Sequence, residues 1–110
     1  NHLIGDLKDL DVLIIDDMID TAGTIVNAAE AAMDAGAKSV IVVATHGVLS
    51  GPAINRLSHS VIKKIIITDT ISIDKEKQID KIKIVSVADI FSKAVSRIHN
   101  GESVSALFEF

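Results

Sequence analysis

Four short runs of β-branched residues, each closed by polar or small residues, set the limits on how this chain folds. They are Asp11 to Ile15 (DVLII), Ser39 to Thr45 (SVIVVAT), Lys64 to Thr68 (KIIIT) and Lys83 to Val87 (KIVSV). Each is too short for a buried helix and apolar on successive residues. Such runs predict strands of a parallel sheet covered on two sides. The first is expected to stop at Asp16-Asp17 and the third at Asp69-Thr70. A further short strand is expected over His2 to Asp6.

Helical stretches lie between the runs. Thr24 to Ala35 puts Ile25, Ala28, Ala29, Ala32 and Met33 on one stripe, with Gly36 where a helix-terminating residue belongs. Gly51 to Leu57 is short, and Pro52 suits a first turn. Val87 to His99 spaces Ile90, Phe91, Ala94, Val95 and Ile98 helically and stops at Asn100-Gly101. The alternation predicts an α/β domain, an open parallel-type sheet flanked by helices with right-handed crossovers, over residues 1–110 as a single unit. The lysine-rich stretch Ile73 to Lys83 reads as a solvated loop or short helix.

Composition removes several function classes. The net charge is −4, Arg56 and Arg97 are the only arginines, and Trp and Tyr are absent, so no nucleic acid is expected as a partner. Without cysteine there is no disulfide scaffold, thiolate nucleophile or zinc knuckle. No apolar run approaches the roughly 20 residues that span a bilayer, so a soluble, cytoplasmic protein without a membrane partner is expected. The chain begins with Asn1 rather than Met, which suggests a piece of a longer protein.

The chemistry concentrates in Val12 to Thr24, V-L-I-I-D-D-M-I-D-T-A-G-T. A buried strand ends in Asp16 and Asp17; Asp20 follows, then Thr21, Ala22, Gly23 and Thr24 at a helix start. In open parallel sheets, ligands bind outside the carboxyl ends of the strands. A helix start offers free N–H groups and the positive end of a dipole, and small residues let an anion come close. Two carboxylates about 5 Å apart repel by roughly 3 kcal/mol at an effective dielectric of 20, so the acids need a compensating partner. Ligand hydroxyls, a divalent cation or the helix dipole would serve. The plain local reading is that Asp20 or Thr21 caps the helix and the other acids are solvated. The grouping favours a sugar-phosphate site. There is no G-x-G-x-x-G or G-x-x-x-x-G-K-[ST] pattern. A receiver-domain reading lacks its phospho-accepting aspartate, since the second strand ends Ala44-Thr45-His46.

The stretch D-D-M-I-D-T-A-G-T resembles the phosphoribosyl diphosphate (PRPP) binding motif shared by type I phosphoribosyltransferases and PRPP synthetases. Three further segments, Ala44 to Ala53 (ATHGVLSGPA), Thr68 to Ile71 (TDTI) and His99 to Phe108 (HNGESVSALF), resemble the carboxy-terminal part of PRPP synthetase, or ribose-phosphate diphosphokinase. The resemblance implies a phosphoribosyltransferase-like fold. It implies an enzyme that transfers diphosphate from ATP to ribose 5-phosphate with Mg2+, giving PRPP and AMP for nucleotide biosynthesis. It further implies that Asp16 and Asp17 face the ribose hydroxyls and hydrated magnesium, and that Asp20 to Thr24 wrap the 5-phosphate. The family's ATP site and catalytic Lys-Arg loop have no counterpart here. The resemblance thus implies that the chain holds no catalytic residue and is inactive alone. The family forms homo-oligomers, hexamers in full-length members. Two alternatives use the same loop, a type I phosphoribosyltransferase and a non-catalytic synthetase-associated regulatory subunit.

Ser103 and Ser105 match serines that help form an allosteric phosphate site in that family, or else they belong to an ordinary carboxy-terminal turn. His46 reads as a structural hydrogen-bonder. His2, His59 and His99 are too scattered for a metal site.

Overall fold

In the computed structural model, which describes residues 6–108, the β-branched runs form the strands that their spacing predicts. Strand β1 spans Asp11–Ile19, β2 Ser39–Gly47, β3 Lys64–Thr68 and β4 Ile82–Val85. Helix α1 spans Gly23–Asp34, α2 Ala53–Ser58 and α3 Ala88–His99. All strand pairs are parallel and follow the order β1-β2-β3-β4. This is the expected α/β class. The strand expected from His2 lies outside the described residues.

Alternation along the strands sorts the side chains into two faces. Val40, Val42 and Ala44 of β2 and Ile65 and Ile67 of β3 are buried on one face. They pack with Ile25, Ala29 and Ala32 of α1, Ala53 and Leu57 of α2, and the connecting residues Leu49 and Ile62. Fully burying an Ile or Leu side chain contributes about 1.5–3 kcal/mol, so this layer dominates the stability.

The other face departs from the expectation of two-sided cover. Leu13 is 57% exposed and Ile15 74%. Helix α3 buries none of its residues, and Ile90, Phe91, Val95 and Ile98 all stay exposed. Among the described residues, therefore, α1 and α2 cover one face of the sheet and α3 covers neither. Periodicity gave α3 its helix but could not supply a surface for its apolar stripe to pack on.

Strand β1 also runs past Asp16-Asp17 to Ile19. The parallel neighbour holds it there, with Asp16 beside Ala44, Met18 beside His46 and Ile19 beside Gly47. The paired acids therefore lie within a strand rather than after one. Helix α1 ends as expected, with Gly36 at φ 98° and the Ala37 N–H donating to Ala32 O at 3.1 Å. The lysine-rich segment forms a short 3-10 turn at Lys75–Lys77, and one of its lysines is not simply solvated. Lys81 Nζ donates to Leu57 O and Ser60 O, both at 2.9 Å, and so satisfies carbonyls at the end of α2.

Candidate functional site

A pocket of about 230 Å³ lies at the carboxyl end of β1, lined by the continuous segment Asp16 to Ile25. All seven residues singled out in the sequence, Asp16, Asp17, Asp20, Thr21, Ala22, Gly23 and Thr24, line it. The two acids of β1 are oriented by the backbone. Asp16 Oδ1 accepts the Asp17 N–H, and Asp17 Oδ1 accepts the Met18 N–H, each at 2.8 Å. One oxygen of each exposed carboxylate is thereby held in place, and the other can accept from a ligand.

The loop after the strand is shaped by one backbone feature. Ala22 takes a left-handed conformation at φ 69° and ψ 4°, is buried, and occupies the N-cap position of α1. An alanine there costs roughly 1–2 kcal/mol relative to the right-handed region. The kink lets Ala22 O accept the Val26 N–H at 3.1 Å, which starts the helix. No side chain caps α1, and no acid stands in its first turn. The local reading that Asp20 or Thr21 caps the helix is therefore corrected. The first-turn N–H groups of Gly23, Thr24 and Ile25 have no partner within the helix, and these three residues line the pocket.

Asp20 turns instead to the β2–α2 connection. Its Oδ1 accepts the Ser50 hydroxyl, and its carbonyl accepts the Ser50 N–H at 2.9 Å. One residue on, Thr21 O accepts from Arg56 Nη1 at 3.1 Å. Sequence reasoning missed both Ser50 and Arg56. The available signal was topological: consecutive strands of a parallel sheet place both βα connections at the same end, so a polar residue in the second can reach the first.

The remaining candidates lie elsewhere. His46 Nδ1 is 2.7 Å from Thr70 Oγ1, consistent with the structural role expected of it. Ser103 Oγ and Ser105 Oγ are 2.7 Å apart, and Arg97 donates to Ser103 O at 3.1 Å. Ser103 and Ser105 follow α3, Arg97 belongs to it, and none of the three lines the pocket. No group of three or more His, Cys, Asp or Glu residues among those described can enclose a metal ion. Asp16 and Asp17 both line the pocket, and two carboxylates alone would hold a cation through water rather than stripped. Likewise, no helix among the described residues is long and apolar enough to cross a membrane.

The model of the phosphoribosyl synthetase-associated domain family matches residues 2–109. A ribose-phosphate pyrophosphokinase of Caldanaerobacter subterraneus subsp. tengcongensis is 58% identical over 107 residues, 97% of this chain and 34% of that protein. One from Clostridium tetani is 55% identical over 108 residues, again 34% of its length. The crystal structure of phosphoribosylpyrophosphate synthetase from Mycobacterium smegmatis superposes with a TM-score of 0.87 at 37% identity, covering 89% of this chain and 33% of that one. The chain thus spans about a third of the length of the relatives it matches. These matches fix a family and a fraction of length; they do not bear out the carboxy-terminal placement expected from the sequence.

Proposed function

The chain belongs to the phosphoribosyl synthetase-associated domain family, and from that membership we propose that it forms the ribose 5-phosphate-binding part of a ribose-phosphate diphosphokinase. The observation that carries this reading is the convergence of two groups in one pocket. First-turn N–H groups of α1, without a partner among the described residues, suit a phosphate, and the oriented carboxylates of Asp16 and Asp17 suit sugar hydroxyls. A sugar phosphate presents both complementary chemistries on one small molecule.

In this proposal the 5-phosphate sits against Gly23, Thr24 and Ile25, where the N–H groups and the dipole of a 12-residue helix favour negative charge. Asp16 and Asp17 accept from the ribose hydroxyls and fix the sugar's rotation about its phosphate anchor. Bound Mg2+ would supply charge neutralisation on the transferring diphosphate, held by Asp16 and Asp17 through water. The contribution of these residues is orientation: they hold the 1-hydroxyl of the ribose in line for attack on the β-phosphorus of ATP. ATP and the residues that act on it belong to the part of the parent protein that this chain does not span. The relatives are named as pyrophosphokinases, so the phosphoribosyltransferase alternative draws no support from them.

A titration of the ¹⁵N-labelled chain with ribose 5-phosphate tests the reading. The amides of Gly23, Thr24 and Ile25 should shift most, with Asp17 and Met18 following. Shifts confined to residues outside Asp16 to Ile25 would overturn it. With ATP, ribose 5-phosphate and Mg2+ together, the chain alone should form no PRPP above a protein-free control.

A further inference from the structure

We propose that Arg56 is a positioning residue for the phosphate-binding loop, acting from behind it through the carbonyl of Thr21. The inference rests on the proposed function and adds the part that sets the loop's geometry. Arg56 Nη1 donates to Thr21 O at 3.1 Å. The next residue, Ala22, holds the left-handed kink from which α1 departs. In a planar trans peptide the carbonyl and the following N–H point in opposite directions. Holding Thr21 O toward Arg56 therefore directs the Ala22 N–H away from Arg56, and both Thr21 and Ala22 line the pocket. A charged donor on the carbonyl also polarises that peptide and makes its N–H a stronger donor to an anion.

Gly23 fits this role. A Cβ at Gly23 would stand 3.1 Å from Arg56 Nη1 and 3.8 Å from its Cζ. A methyl at Gly23 would press on the guanidinium, which would have to give by a few tenths of an ångström. The bond also joins residues 35 apart in sequence, so the second βα connection fixes the shape of the first. Ser50 reinforces the same joint one residue earlier through Asp20.

The test uses the ¹⁵N-labelled chain with inorganic phosphate as probe, comparing wild type, Arg56→Met, Arg56→Lys, Gly23→Ala and the Arg56→Met/Gly23→Ala double variant. Arg56→Met should weaken phosphate binding by roughly tenfold, the scale of a lost charge-assisted hydrogen bond. Arg56→Lys, which keeps the charge without the planar fork, should fall between. Gly23→Ala should weaken binding by itself and add little in the Arg56→Met background, because both changes act on one contact. A folded Arg56→Met chain with wild-type affinity, or a Gly23→Ala effect of equal size in both backgrounds, would overturn the proposal. Should Arg56→Met fail to fold, unchanged Ala22 amide shift and exchange in Arg56→Lys and Gly23→Ala would overturn it equally. If wild-type amides 22–25 ignore phosphate, the ligand reading fails on its own. Faster Ala22 amide exchange in the Arg56 variants would still support the positioning role, and unaltered exchange would reject it.

Discussion

Asp69 Oδ1 accepts the backbone N–H of Val87 at 2.8 Å, so the first residue after β3 is tied to the N-cap position of α3. The hydroxyl of Ser86 and this N–H together hold the Asp69 carboxyl below the usual aspartate range.

That lowered value fixes the sign of a pH effect. A depressed folded pKa means the ionised form is the one stabilised by folding. The contribution is present above the ordinary aspartate value of about 3.9 and is lost as pH falls through the lower folded value. The Val87 amide should therefore move in an acid titration with a midpoint below that of a free aspartate. Asp69→Asn should abolish the transition. Because the group is exposed, global stability should change little, and a large fall in melting temperature would contradict the account.

Thr24 lies in the first turn of α1 and lines the pocket, and no side-chain bond caps the helix start. Thr24→Val should cut ribose 5-phosphate affinity about tenfold or more, since bonds to charged groups contribute roughly 1.5–3 kcal/mol. Thermal stability should shift by only a few tenths of a kcal/mol. Calorimetry with melting curves separates the two, and unchanged affinity would remove Thr24 from the site.

Gly47 is packed without space for a side chain. A Cβ there would come within 2.5 Å of Ile67 Cδ1, and Ile67 is fully buried. Gly47→Ala should destabilise the chain by about 1–3 kcal/mol, the range for overpacking a filled core. Denaturant melts would show it. Ile67→Val in the same chain should restore part of the loss by removing the methyl that clashes.

The two faces of the sheet should respond unequally to truncation. Ile67→Ala removes a fully buried side chain and should cost about 2–5 kcal/mol. Ile15→Ala, at a position 74% exposed, should cost less than about 1 kcal/mol in this chain. Equal losses in urea unfolding would mean that the Leu13 and Ile15 face is covered in solution.

The strand starts at Asp11, Ser39 and Lys64 were legible because β-branched runs set them locally. So was the end of α1, which Gly36 marks by a conformation that other residues rarely take. The end of β1 was not, because its last residues are held by pairing with β2, and nothing in Met18 or Ile19 announces Gly47 as a neighbour. The site divides in the same way. Asp16 to Thr24 are contiguous, so the motif was readable as one stretch. Arg56 and Ser50 reach that stretch from more than 25 residues away, through a register that only the folded sheet defines. The left-handed Ala22 carries no sequence mark at all, since glycine or asparagine is the usual occupant of such a position.

The sequential strand order bears on how the molecule assembles. Each strand lies beside its neighbour in sequence, so one βαβ unit can dock on the preceding one without closing a long loop. The loop Asp20 to Thr24 is encoded in the first unit, but its clamps, Ser50 and Arg56, arrive with the second. Under the proposed function, the loop would take its binding shape only after the second unit has docked. That shape would also be lost early on local opening: detaching the six residues of α2 would release Thr21 while β1 and β2 stayed paired. Loss of ligand affinity should then precede loss of the sheet as the chain is warmed.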